Sequence, residues 1–190
     1  TRTTAEIAKP LNLGESAQAL LKAEHKPRQY FEVLLAAELL DEATKFLAAA
    51  LPKREAVWWG CLCLRETLTL KEGPPTEALA AAEKWVQETN EPNRRKAEAA
   101  AEAAGFGTAP GCVAVAAFWA SGSLAPANVP AVPPAAHLTA LGVFGALELA
   151  AAAVPGKKIE RQRRFLTIGD QISTGQVEHA RVGATRLASQ

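Results

Sequence analysis

Methionine is absent from these 190 residues, tyrosine occurs once, aromatic residues amount to 6%, and there are three cysteines. Composition alone can leave a chain of this length without methionine. The other shortages exclude more. Cys61, Cys63 and Cys112 are an odd number with neither disulfide nor zinc spacing, which rules out a disulfide framework. Charge of one sign is lacking too. The formal net charge is +1, too small for broad nonspecific nucleic-acid binding or for an acidic disordered tail. Runs of β-branched residues are nearly missing, so there is little from which to build a sheet. No phosphate-binding glycine loop, HExxH pattern or Ser–His–Asp arrangement occurs. The N-terminus has no charged–apolar–cleavage pattern, and with the free thiols this leads us to expect a protein of the reducing cytoplasm, without metal or cofactor.

What is present favours helices. Alanine, the best helix former, is used heavily, and 48% of residues are apolar. Apolar spacing and breakers predict helices over Glu15–Ala23, Pro27–Leu39, Asp41–Leu51, Pro52–Leu70, Thr76–Glu88, Arg94–Ala104, Pro110–Ala120, Leu138–Val154 and Lys157–Thr174. Asp41 reads as the N-cap of the third. Short turns make neighbours antiparallel, so the expected fold is all-α. It is a single domain of about eight or nine antiparallel helices in a helical-hairpin stack, with a long Pro-rich strap. Residues 1–13 are expected as a loose N-terminal arm or a docked strap, 14–174 as the helical domain and 175–190 as a mobile tail. Leu138–Val154 is shorter than the ~20 apolar residues of a membrane span and is interrupted by Glu148, so it reads as a buried central helix.

The stretch Leu51–Leu70 is the densest in information. Val57, Cys61, Leu64 and Leu68 repeat at helical spacing and form a core stripe. Cys61 and Cys63 lie about 200° apart on a helix and cannot face one ion. Trp58 and Trp59 are separated by about 100°, so both cannot point straight into one core. Trp59 is therefore a candidate aromatic contact for a partner, against ordinary core packing. Ser121–Ala136 carries four prolines and no helical period. It reads as a strap anchored by Leu124, Val129 and Val132, or as a partner-binding polyproline segment.

Several helices begin with cations, which the helix dipole disfavours. Lys26 and Arg28 flank one start, Lys53 and Arg54 another, and Arg94, Arg95 and Lys96 a third. If the helices alternate up and down, these starts share one end and make a rim for an acidic or phosphorylated protein partner. The ordinary alternative is that the turns are short, so each cation also neighbours the C-terminus of the preceding helix, where it is favourable. The run Lys157–Arg164 is the densest local charge cluster. It reads as a solvated helix face, or more sharply as a contact for acidic protein, nucleic acid or a membrane surface.

LPKREAVWWGCLCLR, NRRKAEAAAEAAG and FWASGSLAP with the following VPP resemble a bacterial family of uncharacterised all-helical proteins with a proline–basic–WW–Cys segment. The resemblance covers about residues 30–170. It implies no catalytic residues, and it carries an association of some members with type VI secretion components. The functional expectation is a non-enzymatic protein–protein interaction module, an adaptor or accessory subunit of a bacterial assembly. The alternatives are an enzyme with a dispersed site around Glu148 and a peripheral membrane protein. No specific nucleic acid and no transmembrane segment are expected.

Overall fold

The computed structural model describes residues 2–126 and 128–176. Among them there are ten α-helices and no strand. They are α1 (Thr4–Ala8), α2 (Glu15–Leu20), α3 (Pro27–Ala36), α4 (Leu40–Ala50), α5 (Lys53–Thr67), α6 (Pro74–Gln87), α7 (Glu91–Ala104), α8 (Ala109–Phe118), α9 (Leu138–Ala152) and α10 (Lys158–Ser173). The all-α expectation holds, with one helix more than anticipated. Most of the expected tail, from residue 177 on, lies outside the described residues.

The extra helix is in the N-terminal arm, which is docked rather than loose, the second of the two arrangements expected for it. Thr3 caps α1 in a reciprocal box with Glu6, and a 3₁₀ turn over Lys9–Leu11 follows. Ile7, Leu11 and Leu13 are buried, and α1 packs on α4. Apolar burial of this kind is worth roughly 1.5–3 kcal/mol for each large side chain, enough to hold so short an element in place. A correction concerns α4, whose N-cap is Leu39, with Asp41 already inside the first turn. The turn before it is made by Glu38 in the left-handed region.

α5 is the central element, packed against α4, α6, α8, α9 and α10. Val57, Cys61, Leu64, Trp58, Trp59 and Cys63 are all buried. Because five helices pack around most of its circumference, side chains 100° and 200° apart are buried together, and only Arg65 and Glu66 stay exposed. Close approach is possible because the seams use small residues. A Cβ on Gly60 would fall 2.8 Å from Val113 Cγ2, and one on Gly142 2.8 Å from Ala116 Cβ. α8 is apolar all round and buried except at Cys112. No helix among the described residues is long and apolar enough to cross a membrane.

Candidate functional site

Lys53, Arg54, Arg94 and Arg95 meet at the end of the bundle where α6 and α8 finish. Lys53 Nζ donates to the Ala120 carbonyl at 3.0 Å, and Arg54 Nε to that of Val86 at 2.6 Å. Val86 lies in the last turn of α6, and Ala120 just beyond α8. Carbonyls there lack an intrahelical donor and carry the negative end of the dipole, so cations are favoured. The cations thus meet helix C-termini, but those of α8 and α6 rather than of α4, the preceding helix, so tertiary packing and not the short turn supplies the carbonyls. Lys53 is half-buried, and desolvation, with the nearby Arg2 charge second, pushes its ammonium below the usual lysine range.

Arg94 is not at a helix start. α7 begins at Glu91, because Asn90 caps it through its side chain and Pro92 sits in the first turn. That places Arg94 one turn in, where it is 1% exposed. Its Nε and Nη2 donate to the two oxygens of Glu91 at 2.6 and 2.7 Å. Nη1 donates to the Phe118 carbonyl at 2.8 Å and Nη2 to that of Ser123 at 3.0 Å. The guanidinium lies 4.6 Å from the centroid of the Phe118 ring. Arg95, half-buried, continues the pattern. It donates to Glu91 and Glu98, and its Nη2 reaches the carbonyls of Ser123 at 3.0 Å and Ala125 at 2.7 Å. The Arg94 hydrogen bond, reinforced by Arg95, lowers the Glu91 carboxyl to about 2. Gly122 adopts a φ of +68° directly over this group, and a Cβ there would fall 2.8 Å from the Arg94 guanidinium. Arg94 is thus buried and spent on internal contacts, whereas Arg95 is paired but keeps part of its side chain at the surface.

What the two arginines hold is the Pro-rich segment. Ser123 Oγ accepts from the backbone N–H of Ala125 at 3.0 Å and of Val132 at 2.9 Å. The Leu124 N–H donates to the Val132 carbonyl at 2.8 Å. The chain thus leaves the bundle at Leu124, returns at Val132, and is closed at its base by polar contacts. Leu124 packs on the core as expected. Val129 and Val132 do not anchor anything; they are 46% and 51% exposed. A backbone and arginine latch replaces the expected apolar anchors, which leaves the apolar side chains facing outward.

The remaining nominated residues fall elsewhere. Lys26 and Lys96 are exposed. Arg28 pairs with Glu32 at 2.7 Å and with Asp170 of α10. Trp59 is fully buried, and its Nε1 donates to the Phe165 carbonyl at 2.8 Å. It is a core residue and not a partner contact, because α10 closes over it at Gly169, where a Cβ would fall 2.6 Å from its ring. Burial pushes the Cys61 and Cys63 thiols well above the usual range. Among the described residues no group of His, Cys, Asp and Glu could hold a metal ion.

Glu148 is half-buried and paired. It accepts from Gln162 Nε2 and from Lys158 Nζ, both at 2.7 Å. Asp41 shares the Gln162 amide. The basic run of α10 is engaged along its length: Lys157 with Glu160, Arg161 with the Ala150 carbonyl, Arg163 with Glu38, and Arg164 with Glu66. It therefore serves as the polar seam of the last helix. Sequence reasoning missed Glu91, Gly122 and Ser123. Asn90-Glu91-Pro92, a capping residue followed by an acid and a proline, was the signal that could have set the start of α7 correctly.

The model of a family described as "Family of unknown function (DUF6931)" matches residues 30–173, and the chain belongs to that family. The match contains the Trp helix, α7 and the Pro-rich segment, the three stretches on which the resemblance to an uncharacterised family rests. No curated protein and no solved structure matches the chain.

Proposed function

We propose that this member of the DUF6931 family is a non-enzymatic protein–protein interaction module that presents its Pro-rich segment to another protein. The observation that carries this reading is the segment's construction. Val129 and Val132 stand in solvent, while the base is bolted to α7 and α8 through Arg94, Arg95 and Ser123. A loop serving only to connect two helices has no need of a buried arginine, and apolar side chains held outward on a fixed base suit a contact surface. Cytoplasmic location and an accessory role in a bacterial assembly, including one concerned with secretion, accompany this proposal. The pairing of Glu148 with Lys158 and Gln162 supports the adaptor over the dispersed enzyme. The paired cations of α10 likewise support it over peripheral membrane attachment.

The test is capture from the native cell with identification of the proteins retained. The double substitution Val129→Ser and Val132→Ser alters the outward side chains without touching the latch. We expect it to release proteins that the unaltered chain retains, with the melting temperature unchanged. An identical retained set for both chains would overturn the proposal.

A further inference from the structure

The Pro-rich segment has an order to its residues that the interaction reading does not by itself require. Val129-Pro130-Ala131-Val132-Pro133-Pro134 contains two Val-Pro pairs three positions apart. Proline fixes its own φ near −65°, and it drives the residue before it out of the helical region into extended or polyproline II backbone. Of these six residues only Ala131 is neither a proline nor followed by one. The chain bends into the segment at Val129, whose N–H closes a turn on the Pro126 carbonyl at 3.3 Å, and from there its own covalent chemistry favours extended backbone.

Polyproline II has three residues per turn, so positions three apart form a ridge. One ridge holds Val129 and Val132, the next Pro130 and Pro133, and the third Ala131 and Pro134. Val129, Pro130, Val132 and Pro133 are all exposed, whereas Pro134 is half-buried. The backbone of Val132 is tied on both sides, its N–H to Ser123 Oγ and its carbonyl to the Leu124 N–H. Ala131 is exposed as well, so Val129–Pro133 stands in solvent along its length and is tied back only at the Val132 backbone.

We infer that Val129–Pro133 is a preformed polyproline ligand, and that its partner is a protein domain with an aromatic-lined groove that takes the two Val-Pro pairs. This inference rests on the interaction reading above and names the partner's chemistry. Flat aromatic grooves accept the ridges of such a helix, and little conformational entropy remains to be lost on binding. Arg95, the nearest cation in the latch, is engaged with Glu91, Glu98 and two carbonyls. Recognition thus falls to the apolar ridges and calls for no acidic pocket beside the groove.

The experiment titrates the full chain against purified SH3, WW and EVH1 domains, which serve as aromatic-groove probes. It is read by amide chemical shifts of the probe. At least one probe should bind, with shifts confined to its aromatic groove. Pro130→Ala with Pro133→Ala should weaken that binding at least tenfold while the melting temperature stays constant. Binding to none of the three, or binding indifferent to the double substitution, would overturn the inference. If Val129→Ser with Val132→Ser still releases cellular proteins when the probes fail, the interaction reading stands and the polyproline reading falls. The separate variant Arg95→Met, which keeps a long stem but loses the carbonyl contacts, should also weaken probe binding by loosening the base. Unchanged probe affinity in it would overturn the role given to the latch.

Discussion

Arg94 is the residue on which the latch depends. Its guanidinium is buried against Phe118 and satisfies two backbone carbonyls that have few other donors. Replacing it by alanine leaves those carbonyls short and opens a void, at a cost of about 2–4 kcal/mol. Arg94→Met fills much of the space and should cost less, and urea unfolding of the two variants measures the difference. Glu91 gives the latch a pH dependence with a definite sign. Its folded pKa, about 2, lies below the ordinary value of 4.5. Its contribution is therefore complete above about pH 4.5 and is lost as pH falls toward 2. The carboxylate is over half exposed, so solvent screening keeps the effect modest. In Glu91→Gln the part of the acid-induced stability loss that belongs to this window should disappear; an unchanged slope would show that Glu91 does not hold the latch.

Between elements, the α8–α9 seam shows how small residues set the spacing of this bundle. A Cβ on Gly142 would meet Ala116 Cβ at 2.8 Å, and Ala116 Cα and the Cys112 carbonyl at 3.2 Å. Backbone atoms cannot turn aside, so Gly142→Ala must push the helices apart and should destabilise by about 1–3 kcal/mol. Gly145 lies one turn further along the same helix. There the nearest atom to an added Cβ is Cys112 Sγ at 3.7 Å, an ordinary contact. Gly145→Ala should be neutral or stabilising by up to about 1 kcal/mol, since alanine is the better helix former. Chemical denaturation of the pair separates a packing effect from a propensity effect, because only the packing account makes the two substitutions differ in sign.

Across the molecule, the two cysteines of α5 are buried deeply enough that their thiols report on global opening. Cys61 and Cys63 are buried and held protonated by desolvation, whereas Cys112 is half-buried with its thiol near the Phe106 carbonyl. A disulfide reagent should therefore modify Cys112 first. It should reach Cys61 and Cys63 only at the rate set by unfolding of the whole domain, and the two together. Modification of Cys61 at the rate of Cys112 would show that α5 opens locally. The docking of α1 belongs to this scale as well, since Ile7 and Leu11 join the same core as the central helix.

The sequence by itself determined the helices. Alanine content, the prolines at Pro27, Pro52 and Pro155, and the apolar stripe Val57–Cys61–Leu64 act locally, so α-helical class, most element limits and the absence of metal spacing in the CxC pair are legible without coordinates. Local rules stop at questions of what lies opposite. Whether Trp59 is core or surface depends on α10, more than a hundred residues away, closing at Gly169. The helical period predicts one buried face, but α5 is packed by five helices and buries Trp58, Trp59, Cys61 and Cys63 together, leaving only Arg65 and Glu66 exposed. The same limit applies to the basic residues. A cation near a helix start has the same local sequence whether it faces solvent or the last carbonyls of another helix, and tertiary packing decided for the carbonyls at Lys53, Arg54 and Arg94. The Pro-rich segment divides in the same way. Proline stiffness is written in the covalent chain, whereas the contacts of Arg94 and Arg95 with the Phe118, Ser123 and Ala125 carbonyls exist only once α7 and α8 stand side by side.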